Sequence, residues 1–219
     1  RHASSETKFG RGALLAFEWL GFTVELAKRM SSDKLQTILE QTWSGLAKAT
    51  GQADHPWRLP ALGAHGLNGP EVRTMVLRSV DPVTRQLIAQ TDVRSTKVPG
   101  FRKDPRVAWH FYDPQTKVQV RANGRVTVHH DDEVTRAAWA AVPEANKRNY
   151  ATPSAPGLPV DDPSLGQAQA GAYTAAYANF TVLSTEITFI DWLQLGDERH
   201  RRAQFTWTGS DWRGAWVVP

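Results

Sequence analysis

The 219 residues include no cysteine and only two methionines. Disulfides, thiolate metal sites and cysteine nucleophiles are therefore excluded within this chain. The lack of thiols fits a reducing compartment, and a cytoplasmic protein is the expectation. No uncharged apolar run is long enough to span a bilayer. The closest, GALLAFEWLGFTVELAKR at residues 12–29, is interrupted by Glu18 and Glu25 and reads as neither signal peptide nor membrane helix. No HExxH, P-loop or GxGxxG motif occurs. No Ser/His/Asp set sits in a nucleophile-elbow context. The net charge of +4 and a pI near 9.5 permit an anionic ligand. The chain has no basic tail and no basic stripe interleaved with aromatics, so nucleic acid is not an expected partner.

What is present suits one sizeable core: 41% hydrophobic residues, 22% charged and nine tryptophans. Residues 33–49 carry Leu35, Ile38, Leu39, Thr42 or Trp43, and Leu46 at helical spacing, with Ser31 or Ser32 as a candidate cap and Gly51 as a stop. Met30 reads as an alternative start, making residues 1–29 an N-terminal extension and residues 30–219 the domain. Strand-like runs follow at 72–80, 86–92, 106–113 and 117–129, the last with Asn123-Gly124 as a turn or a bulge. Asp131 or Asp132 caps a helix to about Val142, and residues 143–150 suggest a second short helix. Residues 151–172 read as a loop, and strands return at 179–195, 203–208 and 212–218. This order predicts a mainly β, α+β fold without the strand–helix alternation of a parallel sheet.

Chemistry concentrates in RTMVLRSVD (73–81) and TDVRSTK (91–97). Strand alternation puts Arg73 and Arg78 on opposite faces. An arginine among apolar neighbours needs an anion or a route to solvent, and its planar fork suits phosphate. Hydroxyls and an ammonium just after a strand add to a phosphate cradle; an exposed, charged hairpin is the competing reading. His129-His130-Asp131-Asp132 has metal-ligand residue types, but neighbours on a strand point apart, so the run is expected to end a strand and cap a helix.

The ordered series RTMVLRSVD, QLIAQTDVRSTK and DPRVAWHFYDPQTKVQVRANGRV resembles the pyridoxamine 5'-phosphate oxidase-related FMN-binding split-barrel family, from about Leu35 to the C-terminal WRGAWVVP. It is more similar to the oxidase-like branch than to the authentic oxidase. The resemblance implies a six-stranded antiparallel split β-barrel with flanking helices and a homodimer with FMN at the interface. It also implies an FMN-dependent oxidoreductase that takes a hydride equivalent from a small anionic substrate. The alternative is a flavin-binding module without oxidase activity. Residue by residue, the resemblance gives Arg73, Val76, Leu77, Arg78, Gln90, Thr91, Ser95, Thr96, Lys97, Gln119, Trp192 (or Leu193) and Arg202 to the cofactor. Arg199 is implied as the catalytic arginine, and Arg78, Arg199 and Arg201 as substrate-binding; no metal is implied. Thr96 stands where the authentic oxidase has arginine, with Arg94 two residues earlier as a substitute. Arg78 stands for a lysine that reaches flavin and substrate, and Arg201, next to His200, for a histidine. Ala138, Val142 and Asn146 fall where the oxidase clamps the substrate phosphate with Tyr, Arg and Ser, so slow or absent turnover of pyridoxamine phosphate is expected.

Overall fold

The computed structural model describes residues 11–66, 69–168 and 176–219, with side chains from Arg29 onward. Helix α1 runs without interruption from Arg11 to Gly51. It does not begin at the expected Ser31 or Ser32 cap. No glycine or proline lies between Phe22 and Ser44, and serine costs a helix only a few tenths of a kcal/mol. Ser31 Oγ instead accepts from Trp216 Nε1 at 3.0 Å. At the other end, Arg58 donates to the Ala49 carbonyl at 3.2 Å and to the Thr50 carbonyl, satisfying two acceptors that the helix leaves open.

The strands are β1 (Ala61–Gly66), β2 (Gly69–Thr74), β3 (Ser79–Asp81), β4 (Gln86–Asp92), β5 (Arg106–Asp113), β6 (Val118–His129), β7 (Phe180–Gln194), β8 (Arg201–Trp207) and β9 (Trp212–Val217). All pairings among them are antiparallel, in the order β2-β1-β5-β6-β7-β4-β3, with β8 and β9 added beside β7. Among the described residues the sheet thus has nine strand segments where six strands were expected. Beyond the seven strand-like runs of the sequence, the two added segments are β1 and the product of a split. The expected strand 72–80 is split, because residues 75–78 exchange partners midway: Met75 N donates to Pro60 O and Leu77 N to Arg58 O, whereas Arg78 N donates to Ile88 O. The two ends of the strand order are therefore one chain segment, and the sheet closes on itself there. The β8–β9 hairpin pairs with the C-terminal half of β7, whose N-terminal half pairs with β4.

Side-chain alternation fills the ring. Val107, Trp109 and Phe111 of β5 and Val118, Val120, Ala122 and Val126 of β6 point inward, against Leu62, Leu77, Leu87, Leu183, Ile187 and Ile190. Fully buried Trp109 finds a partner for its indole N–H in Thr185 Oγ1 at 3.2 Å. One face of α1 (Ile38, Leu39, Trp43, Leu46, Ala49) joins the same core. Asn123-Gly124 is a bulge in one long strand, not a turn.

Helix α2 (Lys97–Lys103) follows β4 and was not foreseen. Helix α3 (Glu133–Ala140) starts at the expected Asp132, whose side chain accepts from Thr135 N while Thr135 Oγ1 accepts from Asp132 N. His129 Nδ1 lies 2.7 Å from Asp132 Oδ2, so this histidine belongs to the cap. The described residues hold no cluster of three or more metal-ligand side chains. Helix α4 (Glu144–Lys147) and a 3-10 turn at Arg148–Tyr150 follow, and α5 (Ala176–Asn179) leads into β7. Together they lay a second apolar cluster, Val142, Tyr150, Ala176, Phe180 and Val182, over the outside of β4 and β7. Among the described residues, no helix is long and apolar enough to cross a membrane.

Candidate functional site

Two groups of the expected site residues come together separately. The first forms around the end of β4. Thr91 is the last inward residue of that strand, and a turn closed by Ser95 N to Asp92 O at 3.1 Å brings Ser95 and Lys97 back beside it. Lys97 Nζ donates to Thr91 Oγ1 at 3.0 Å and to Ser95 Oγ. Both hydroxyl residues are buried. Arg73 arrives from β2, whose register places it opposite Leu62 of β1. Its side chain is only 18% exposed and contacts the Glu71 carboxylate, yet its Nη1 is buried without a hydrogen-bond partner. Burial lowers the Lys97 pKa, and the positive charge of Arg73 lowers it further, against the pull of Asp92 and Glu71. Two half-buried cations close enough to repel, two buried hydroxyls and an unpartnered guanidinium N–H form a donor set that matches a phosphate group.

Around this cradle, Val76 is half-buried and Leu77 buried in the closing segment. Gln90 sits on the outward face of β4 beside Val182 of β7. Thr96 is exposed at the N-cap of α2 and makes no side-chain capping bond. Arg94 does not serve as a cradle cation. It holds Asp92 through Nε (3.0 Å) and Nη2 (2.7 Å) and the Thr152 carbonyl through Nη1 (3.1 Å), and its pKa is raised chiefly by the bond to Asp92. It ties the loop after Tyr150 to the end of β4.

Arg78 ends the closing segment, and its Nε is buried without a partner. Tyr150 stands within its electrostatic reach. Burial raises the pKa of that phenol, with Arg78 opposing and Asp92 adding to the rise. Ala138 and Val142, two of the positions where the resemblance implied a lost phosphate clamp, lie in the apolar cluster over β4 and β7.

The second group lies on β6, β7 and β8. Gln119 faces outward, with Oε1 3.2 Å from His110 Nε2. Trp192 is buried between Val120 and Ala203, while Leu193 takes the outward position. The Arg201 guanidinium lies 5.6 Å from the Trp192 ring centroid, and both line a cleft of about 900 Å³ against α1. Arg202 is paired with Asp191 at 2.7 and 3.0 Å. Arg199 is exposed in the loop before β8. Among the described residues, no hydrogen bond or ion pair joins this group to the Arg73–Lys97 cradle. Sequence reasoning missed Glu71, Tyr150 and Asp191. Only Glu71 carried a signal, as an acid two residues before an arginine in a strand and hence on its face.

The family model described as pyridoxamine 5'-phosphate oxidase, FMN-binding domain, matches residues 34–130. Among solved structures, a pyridoxamine 5'-phosphate oxidase-related FMN-binding protein from Nostoc punctiforme PCC 73102 is 23% identical with a TM-score of 0.66. That match covers 80% of this chain and 95% of the other. PhzG from Burkholderia lata 383, in complex with tetrahydrophenazine-1-carboxylic acid, is 18% identical with a TM-score of 0.63, covering 84% and 92%. At these identities the structural likeness establishes the fold, a mainly antiparallel sheet with flanking helices. Residues 34–130 thus match the FMN-binding domain of the pyridoxamine 5'-phosphate oxidase family, and that domain brings FMN as the cofactor.

Proposed function

We propose that the protein is an FMN-dependent oxidoreductase acting on a small anionic substrate as a homodimer. Residues 30–219 form the flavin-binding unit, with 1–29 as an extension to it. The observation that carries the reading is the convergence of Arg73, Lys97, Thr91 and Ser95, with Arg73 Nη1 buried and unpartnered. These four hold the flavin phosphate, and Val76, Leu77, Arg78, Gln90 and Thr96 flank the rest of the cofactor. Bound FMN supplies two-electron redox chemistry by accepting a hydride equivalent. The protein's part is to orient the substrate and balance its charge. Arg78, Arg199 and Arg201 would supply cations for an anionic group, with Arg199 as the catalytic arginine. Gln119, Trp192 and Arg202 complete the site from the second subunit, which explains why one chain leaves them apart from the cradle.

The direct test is flavin binding. The protein should retain FMN through desalting and show the two visible flavin bands. Arg73→Ala should weaken FMN binding about tenfold or more, the cost of a charge-assisted phosphate contact, while the far-ultraviolet circular dichroism stays unchanged. An unchanged dissociation constant refutes the phosphate assignment. A second reading, a flavin-binding module without turnover, is favoured by the apolar packing of Ala138 and Val142. Turnover of amine, alcohol or nicotinamide donors separates the two. Aromatic carboxylates belong in that screen, because PhzG, which shares the fold, was crystallised with one.

A further inference from the structure

The cradle contains a group that a phosphate site does not need. Glu71 lies two residues before Arg73 on the same face of β2, and its carboxylate contacts the Arg73 guanidinium. Gly66 makes room for it: a Cβ at that position would collide with Glu71 Oε1. The Glu71 side chain is 36% exposed, against 18% for Arg73, so it can leave without crossing a packed interior.

We propose that Glu71 is an internal competitor for the flavin phosphate, its carboxylate occupying Arg73 in the flavin-free chain and yielding to FMN. This rests on the reading of the cradle as the phosphate site. A guanidinium presents a limited set of coplanar donors, and a carboxylate and a phosphomonoester compete for the same fork. Glu71 takes Nη2 and leaves the buried Nη1 without a partner, so it stands in for an anion that would engage both. Once a phosphate dianion sits between Arg73 and Lys97, the carboxylate is repelled at close range. FMN is therefore held more weakly, and exchanges more readily, than the cations and hydroxyls alone would dictate. The effect is specific to the phosphate: riboflavin has nothing to exchange for Glu71.

The experiment is a fluorescence titration of the flavin-stripped full chain with FMN and with riboflavin. It compares the wild type, the isosteric Glu71→Gln, the truncated Glu71→Ala and Arg73→Ala, each checked for fold by circular dichroism. Both Glu71 variants should bind FMN about two- to fivefold more tightly, the worth of a partly exposed ion pair removed from competition. Riboflavin affinity should not move. Unchanged or weaker FMN binding in both Glu71 variants, with Arg73→Ala still impaired, would overturn the competitor role and leave the cradle intact. An equal tightening of riboflavin would also overturn it, by showing that the gain is not a phosphate effect. If Arg73→Ala binds FMN normally, the cradle reading and the competitor role fall together.

Discussion

The pH dependence of stability offers a test of the fold that needs no cofactor. Asp191 is 1% exposed although it sits on the outward face of β7. It accepts from Arg202 at 2.7 and 3.0 Å, from Gln204 at 3.2 Å and from Arg121. Burial alone would raise its pKa, but the hydrogen bonds from Arg202, Arg121 and Gln204 outweigh burial and hold it at about 2, below the ordinary 3.8. A carboxyl depressed in the folded state stabilises fully above its unfolded pKa and loses that contribution as pH falls through the folded one. The window is therefore from about pH 4 to about pH 2. At full strength the displacement is worth about 2.4 kcal/mol. Arg121 is half exposed, so solvent screening reduces this to about 1–2 kcal/mol. The perturbation is Asp191→Asn, which keeps the shape and removes the charge. Urea unfolding of the flavin-free protein at fixed concentration should show the variant less stable by about 1–2 kcal/mol at neutral pH. That difference should shrink as pH falls from about 4 to about 2 and vanish below about pH 2, where the wild-type carboxyl is itself protonated. A difference that stays constant across the window would refute the charge-based account and reduce the site to packing.

Three further outcomes are expected. Arg94→Ala should release the Thr152 carbonyl and leave Asp92 unpaired, so limited proteolysis should cut within residues 151–168 faster than in the wild type; an unchanged cleavage rate would show that this clamp is idle. Gly124→Ala should destabilise by about 1–3 kcal/mol in denaturant unfolding, because its Cβ would collide with the Glu186 carbonyl across the bulge; a neutral variant would mean the bulge relaxes freely. Pyridoxamine 5'-phosphate should be turned over slowly or not at all in an oxygen-consumption assay, since Ala138 and Val142 are packed into an apolar cluster; rapid turnover would show that the phosphate is clamped elsewhere.

The parts of the fold that were legible are those where local pattern and tertiary role agree. Strand β4 was bounded to the residue, because Leu87, Ala89 and Thr91 alternate inward between a turn and a cap-like segment. Strand β5 and the Asp132 cap followed from the same kind of agreement. Helix α2 was missed because Pro99 and Gly100 are the two poorest helix formers and hide its pattern. Gly100 is needed for another reason: a Cβ there would lie 2.9 Å from the His65 carbonyl, so the helix packs backbone against backbone on β1. The split between β2 and β3 was invisible because Met75 to Arg78 have ordinary strand residues, and only their hydrogen-bond partners change. At the candidate site, Arg73, Thr91, Ser95 and Lys97 were readable as a series. The Glu71 contact, the diversion of Arg94 to Thr152 and the burial of Asp191 depend on long-range geometry that a linear pattern does not carry.

Residues 75–78 are where the sheet changes partners and closes on itself. Arg73 and Arg78 stand at the two ends of that joint. An anion that settles on Arg73 binds only the closed ring, because opening the joint takes the arginine away from Lys97. By mass action such a ligand adds to the stability of the whole barrel and not merely to a local loop. On the proposed reading of the cradle, cofactor loading and structural maintenance share one hinge point, and flavin supply should set how long the protein survives.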